Sequence, residues 1–273
     1  EMNEFFSVQD VSVCLGGRQI LDHISFSVDA PGHVIGILGP NGSGKTTLLK
    51  AVCGELPHGG HVVLEGLELA GLRAKELAKR VSYIPQQSGI SISMSVLDVV
   101  LMGFYSKLGL LSQPSADMRA DAYHALKQVG MAELAGRDYL TLSGGEKQLV
   151  IFARTLVEGT KLLLFDEPDS SLDLGNKYRM VQRIRELVCG NPVKTALICL
   201  HDPVLALTCC DTLMLLKDGH LIRILRPETD SIKDMELAFT EIYGPVNLLE
   251  IPDPQSPDHR RLILLPTVTP DNF

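Results

Sequence analysis

The chain has 273 residues, 45% of them apolar, which is enough to bury a sizeable core in one large domain or two modest ones. A net charge of −8, the lack of Trp and the low aromatic content argue against a nucleic-acid partner, which would need basic stripes and stacking platforms. No stretch approaches the roughly 18 uninterrupted apolar residues that a membrane-spanning helix needs.

No signal peptide is visible and Met2 reads as the native start, so the expected setting is soluble and intracellular. Cys14, Cys53, Cys189, Cys199, Cys209 and Cys210 form no C-x-x-C pair, and most lie in apolar runs. Buried thiols in a reducing compartment are expected rather than disulfides or metal ligands.

In chain order, residues 8–15 and 19–28 alternate apolar and polar positions around Gly16-Gly17, which predicts two antiparallel strands. Residues 34–38 form an apolar run typical of a buried strand, and a helix is expected over 48–53. Between them stand Gly39, Pro40, Asn41, Gly42, Ser43, Gly44, Lys45, Thr46 and Thr47. Strand, G-x-x-x-x-G-K-[ST], helix is the context of a phosphate-binding loop. Its glycines let backbone N–H groups approach a polyphosphate, and the helix N-terminus adds partial positive charge. Lys45 would reach the terminal phosphates and the Thr46 hydroxyl would sit on Mg²⁺. These residues mark a nucleotide site.

A short strand is expected at 62–64, a helix over 69–79 and a strand at 81–84 closed by Pro85, with Gln86 just beyond. Residues 88–140 read as a helical insertion: one helix near 96–103, a Gly/Ser/Pro-containing loop, then a helix capped by Ser115 with Met118, Ala122, Ala125 and Val129 on one face. Ser143 and Glu146 fit a capping box for the next helix, whose apolar face holds Leu149, Phe152 or Ala153, and Leu156. The run 161–165 suits a strand covered on both faces, as in a parallel sheet. Asp173 can cap a helix over 174–189, 195–200 is another buried strand ending at His201, and 211–225 forms a hairpin. Short appended strands are expected in the proline-containing tail after Pro245.

Asp166 and Glu167 follow the buried run at 161–165, where ligands of parallel α/β sheets bind. Such a pair is either a solvated strand end or, beside the phosphate loop, an Mg²⁺-water ligand and a base for the attacking water. Ser143, Gly144 and Gly145 are either a plain helix cap or a second phosphate-binding helix N-terminus. His201 could be structural or could meet a γ-phosphate, and Gln86 could bind Mg²⁺ or position water. The remaining histidines fall mostly in apparent loops without metal-ligand spacing.

Phosphate loop, Gln86, Leu142-Ser143-Gly144-Gly145-Glu146, Leu163-Leu164-Phe165-Asp166-Glu167-Pro168, Leu172-Asp173 and His201 stand in the order found in ABC-transporter ATPase subunits. The chain resembles that family over about residues 6–246. The resemblance implies an α/β fold: a P-loop NTPase (RecA-like) core with an antiparallel β subdomain and an inserted α-helical subdomain at about 88–145. An ATPase domain of 1–245 would then be followed by a short extension, 246–273. It implies ATP and Mg²⁺ as cofactors, with Gly39 to Thr47 on the phosphates and Thr46, Gln86 and Asp166 toward the metal. Glu167 would be the catalytic base, Gln86 the sensor and His201 the switch histidine. Asp173 would couple the sites of a homodimer, in which ATP lies between one phosphate loop and the partner's Ser143-Gly144-Gly145. Leu15 stands where many members carry an adenine-stacking aromatic, and Asp169-Ser170 where Thr-Ser is common.

Segments such as Ser95-Val96-Leu97-Asp98, Glu146-Lys147-Gln148, His201-Asp202-Pro203 and Tyr243-Gly244-Pro245 look like the branch importing iron-siderophore, haem or cobalamin. An integral membrane permease and, indirectly, a solute-binding protein are the implied partners, with the chain peripheral on the cytoplasmic face of the membrane. A manganese/zinc importer ATPase and an iron–sulfur cluster assembly factor are the alternatives.

Overall fold

The computed structural model describes residues 4–267 apart from 110, 111, 171, 254 and 255, so the expected start at Met2 lies outside the described residues. Strands β1 (Phe6–Leu15) and β2 (Arg18–Val28) pair antiparallel, and β3 (Val34–Leu38) leads into helix α1 (Lys45–Val52). Strands β4 (Gly59–Leu64) and β5 (Leu67–Glu68) complete a four-stranded antiparallel sheet of order β2-β1-β4-β5. The helix expected over 69–79 is only one turn, α2 (Ala74–Leu77). Gly71 has φ +81 and Arg73 supplies no side-chain cap, so the segment cannot start earlier.

Strand β6 (Val81–Ile84) ends at Pro85 as expected. Helices α3 (Val96–Leu101) and α4 (Ala116–Gln128) are capped by Ser95 and Ser115, whose hydroxyls accept from the Asp98 and Met118 N–H groups. Helix α5 (Gly144–Glu158) starts at a complete capping box. Its burial is wider than one face: Val150, Ile151, Phe152, Ala153, Thr155 and Val157 are all buried, while Leu149 and Leu156 are half-buried. The reason is position, because α3, α4 and β6 all pack against α5.

Strand β7 (Leu162–Asp166), helix α6 (Leu174–Cys189) and strand β8 (Thr195–Cys199) match their expected places. Helix α7 (Pro203–Cys209) then begins on an Asp202 cap with Pro at its first position. Strands β9 (Thr212–Lys217) and β10 (His220–Leu225) form the expected hairpin, and α8 (Ile232–Tyr243) follows. The tail forms a two-stranded sheet of β11 (Val246–Asp253) and β12 (Ser256–Pro266), packed on α8 and α7.

The central six-stranded sheet runs β10-β9-β3-β8-β7-β6, parallel from β9 to β6. Side-chain alternation sorts its apolar residues into two cores. Ile35, Ile37, Leu162, Leu164, Leu197, Met214 and Leu216 face the antiparallel sheet and α1. Val34, Leu38, Leu163, Phe165, Ala196, Ile198, Leu213 and Leu215 face the helices on the other side. A sheet buried on both faces explains why these strands read as continuous apolar runs. Parallel pairing also sets the C-terminal ends of β3, β6, β7 and β8 on one edge, which is where the chemistry-bearing residues lie.

The six cysteines are free. Cys199, Cys209 and Cys210 are buried, but Cys14 and Cys189 are exposed, so burial of most thiols holds for only half of them. The general expectation that the remaining histidines fall mostly in loops does not hold: His23 stands on β2, His61 on β4, His124 on α4 and His220 on β10. All four are exposed.

Candidate nucleotide site

Helix α1 begins at Lys45, three residues before the expected 48–53 span, so its first-turn N–H groups open directly into the glycine-rich loop. Gly44 caps it at φ 104, and a Cβ there would come within 2.5 Å of Leu21 Cδ2. Only glycine allows that backbone and that approach to β2. The loop forms one wall of a cleft of about 460 Å³ whose lining includes Gly42, Ser43, Lys45, Thr46 and Glu167.

Lys45 is buried, and its Nζ donates to the carbonyls of Gly39 at 2.8 Å and Pro40 at 3.2 Å. The Ser43 hydroxyl is buried without a partner among the described residues. A buried cation resting on backbone carbonyls and an orphaned hydroxyl suit a polyanion that supplies better partners.

Thr46 Oγ1 donates to Asp166 Oδ1 at 2.9 Å, and the Tyr83 hydroxyl donates to Asp166 Oδ2 at 3.1 Å. Burial pushes the Asp166 carboxyl above the usual range and the adjacent Glu167 charge adds to that, while the two hydroxyl donors pull it back. Burial and the same carboxylate push the Tyr83 phenol up, so it keeps its proton and remains a donor. Hard oxygen donors from Thr46 and Asp166, side by side beneath a phosphate loop, fit Mg²⁺.

Glu167 sits at φ 51, an uncommon backbone conformation for a non-glycine residue. Gln86 Nε2 donates to its Oε2 at 2.9 Å, and His201 Nε2 lies 2.7 Å from its Oε1. The Gln86 carbonyl accepts from Gln148 Nε2 at 2.9 Å. Gln86 is thus tied to Glu167 and α5, and no hydrogen bond among the described residues joins it to Thr46 or Asp166.

The fold therefore brings together Lys45, Thr46, Asp166, Glu167, Gln86 and His201. Ser143, Gly144, Gly145 and Asp173 do not line the cleft. Ser143 N donates to Glu146 Oε2 at 2.7 Å, and Asp173 caps α6 by accepting from Asn176 N at 2.9 Å. Leu15 is also outside the lining and half-exposed. The lining also includes Arg18, Gln19 and Ile20 with Asp218 and Gly219 from the β9–β10 turn, and Gly219 N donates to the Ser43 carbonyl at 3.2 Å. Those residues and Tyr83 were missed because each reaches the site through tertiary contact, Tyr83 by pairing of β6 with β7 and the others by packing of the two hairpins on the phosphate loop. Helix α8 was missed although Ser231, Asp234 and the spacing Met235, Ala238, Phe239, Ile242 announce it.

Residues 21–170 match the family described as ABC transporter. The chain belongs to that family. It is 40% identical over 225 residues to a hemin import ATP-binding protein of Deinococcus radiodurans, an alignment covering 81% of this chain and 84% of that one. A cobalamin import ATP-binding protein of Halobacterium salinarum is 34% identical over 215 residues, covering 78% of this chain and 53% of its own. An ATP-binding cassette of an ABC transporter, solved in its ADP conformation, superposes with a TM-score of 0.75 at 26% identity, covering 88% and 96% of the two chains. A metal-chelate type ABC transporter shares the fold at TM-score 0.80 and 23% identity, covering 96% and 98%. ABC cassettes are ATPases, and this member has a P-loop NTPase fold that binds ATP.

Proposed function

We propose that this chain hydrolyses ATP as the motor of an importer for haem, an iron–siderophore complex or cobalamin. The observation that carries the reading is the 40% identity, over 81% of the chain, to a protein named for hemin import. The cobalamin relative and the metal-chelate neighbour point the same way.

In this reading Lys45 leaves the Gly39 and Pro40 carbonyls for the terminal phosphates, joined by the N–H groups of residues 42–47 and the Ser43 hydroxyl. Thr46 and Asp166 would hold Mg²⁺, the latter through water, and bound Mg²⁺ would offset charge on the leaving phosphates. Gln86 joins that set in the family pattern, but its contacts here favour a role at Glu167. Glu167 takes the proton of the attacking water, with Gln86 and His201 fixing its two oxygens. The working unit is a homodimer that adds the partner's Ser143-Gly144-Gly145 and couples sites through Asp173. Residues 1–245 form the ATPase domain, with the helical subdomain at about 88–145, and 246–273 form an extension. Among the described residues no helix is long and apolar enough to cross a membrane. A peripheral place on the cytoplasmic face, against an integral permease served by a solute-binding protein, follows from the importer reading.

Two experiments test this. Lys45→Ala and Ser143→Arg should each be inactive alone, yet their mixture should regain activity, because one site of the heterodimer is intact. A mixture as inactive as its parts would refute the two-chain site. Pull-down from native membranes should recover a permease, and failure to do so under conditions that preserve other transporters would count against import.

A further inference from the structure

Strand β6 carries a residue with no part in the reading above. Its parallel register sets Tyr83 opposite Leu164 and Ile84 opposite Phe165. Alternation along β7 puts Leu162, Leu164 and Asp166 on one face of the sheet, and the Tyr83 ring packs into the core on that same face. Its hydroxyl therefore reaches forward along the sheet to Asp166, donating to Oδ2 at 3.1 Å. The other oxygen of that carboxylate accepts from Thr46 at 2.9 Å. Asp166 is only 4% exposed, so water cannot readily replace either donor.

Three residues further on, Gln86 donates to Glu167 at 2.9 Å. One short segment thus holds both consecutive acids at the end of β7, Asp166 through a phenol on the rigid strand and Glu167 through an amide in the loop beyond it. The two holds differ in kind. Tyr83 is fixed by strand pairing and core packing, whereas Gln86 is exposed and past Pro85.

We propose that Tyr83 is a positioning residue for the metal-bearing carboxylate: its hydroxyl pins Asp166 Oδ2 so that Oδ1 stays at the Thr46 hydroxyl, where the Mg²⁺ shell forms. This rests on the assignment of Asp166 and Thr46 to Mg²⁺. Removing the phenol oxygen leaves Oδ2 buried without its donor and frees the carboxylate to rotate about its χ2 axis. Outer-shell partners of metal ligands typically change metal affinity by roughly 10–100-fold.

The test is Tyr83→Phe in the full chain, with ADP binding measured by calorimetry with and without Mg²⁺ and Mn²⁺ binding to the ADP complex followed by EPR. Metal-free ADP affinity should match the parent. The gain in ADP affinity on adding Mg²⁺ should shrink, and Mn²⁺ should bind roughly tenfold more weakly. An unchanged metal requirement overturns the proposal, and so does an equal loss with and without metal, which would mean general loosening of the cleft. Asp166→Asn separates the two assignments. If it keeps the parental Mg²⁺ response, the metal reading itself fails. If it loses that response while Tyr83→Phe keeps it, only the role of Tyr83 fails. Should Tyr83→Phe not fold, Tyr83→Met carries the same measurement with the apolar volume retained.

Discussion

Replacing Glu167 by Gln tests the chemistry most directly, because the change removes a proton acceptor and almost nothing else. Both carboxylate oxygens are occupied, Oε2 by the Gln86 amide at 2.9 Å and Oε1 by His201 Nε2 at 2.7 Å. In the variant the amide oxygen can still accept from Gln86. The new NH₂ can donate to His201 Nε2, provided the imidazole is neutral with its proton on Nδ1. No buried group is stranded, so the melting temperature should stay within about 2 °C of the parent, equivalent to less than ~1 kcal/mol. The residue also holds φ 51, which Gln tolerates no worse than Glu.

Nucleotide affinity should likewise persist, since Lys45, Thr46 and the loop glycines are untouched. Turnover is a different matter. A positioned general base contributes roughly 10²–10⁴-fold, or about 3–5 kcal/mol of barrier. Phosphate release under single-turnover conditions should fall by that factor, with ATP binding by equilibrium dialysis unchanged and a stable ATP-bound dimer on size exclusion. Hydrolysis at the parental rate would remove Glu167 from the role of base. A parallel loss of ATP binding would show that its part is in holding the nucleotide.

Three further outcomes are expected. Asp169 is 1% exposed, its Oδ1 has no partner among the described residues and the Lys177 ammonium is 4.0 Å from Oδ2. Burial raises its folded pKa above 3.8, so its ionisation opposes folding, and stability is lost as pH rises through that window. Asp169→Asn should therefore melt about 2–4 °C higher at pH 7, an advantage that shrinks as pH approaches 4, and a difference independent of pH would refute the assignment. Lys45→Ala should weaken ATP binding about 100-fold, the loss of one or two charge-assisted hydrogen bonds, and dialysis showing parental affinity would contradict its role. Among the described residues no aromatic side chain lines the cleft, so ATP and GTP should bind within about tenfold of each other, and a larger ratio by competition would point to base contacts from Arg18 or Asp218.

Most of the fold was legible because its signals are local. The glycine-lysine-threonine loop, the Ser95, Ser115 and Ser143 caps and the run at 161–165 each state their structure within a few residues. Where the reading failed, the cause was tertiary. Helix α5 buries more than one face because α3, α4 and β6 all pack against it, a fact its own periodicity cannot express. The segment at 69–79 has helical composition but no cap, and it yields one turn. The site divides the same way. Asp166 and Glu167 were legible from the strand end that carries them, whereas Tyr83 and Gln148 act on the site through strand pairing and helix packing. Nothing in the order of residues says that position 83 reaches position 166. Leu15 itself is outside the cleft lining, which takes Arg18 and Ile20 from the start of β2.

The helix N-terminus at Ser143 bears on what the working unit must be. Its capping box uses the Ser143 N–H and Oγ on Glu146 Oε2 at 2.7 and 2.8 Å, while the Ser143 hydroxyl takes the Glu146 N–H at 3.3 Å. Those bonds hold the first turn rigid but leave the Gly144 and Gly145 N–H groups without intrahelical acceptors. A bulkier residue at 145 would crowd Leu172, whose Cδ2 would lie 3.1 Å from an added Cβ. This rigid, glycine-bare, positively polarised end does not line the cleft of its own chain. If its purpose were only to start a helix, Ser143→Arg should cost the capping bonds, about 1 kcal/mol, and keep its ATPase activity by itself, so that mixing it with Lys45→Ala restores nothing. If it closes over ATP held by another subunit, the same variant keeps its own phosphate loop competent and rescues the Lys45 variant. Only the second outcome would give this helix end a part in the chemistry although it lies outside the cleft lining of its own chain.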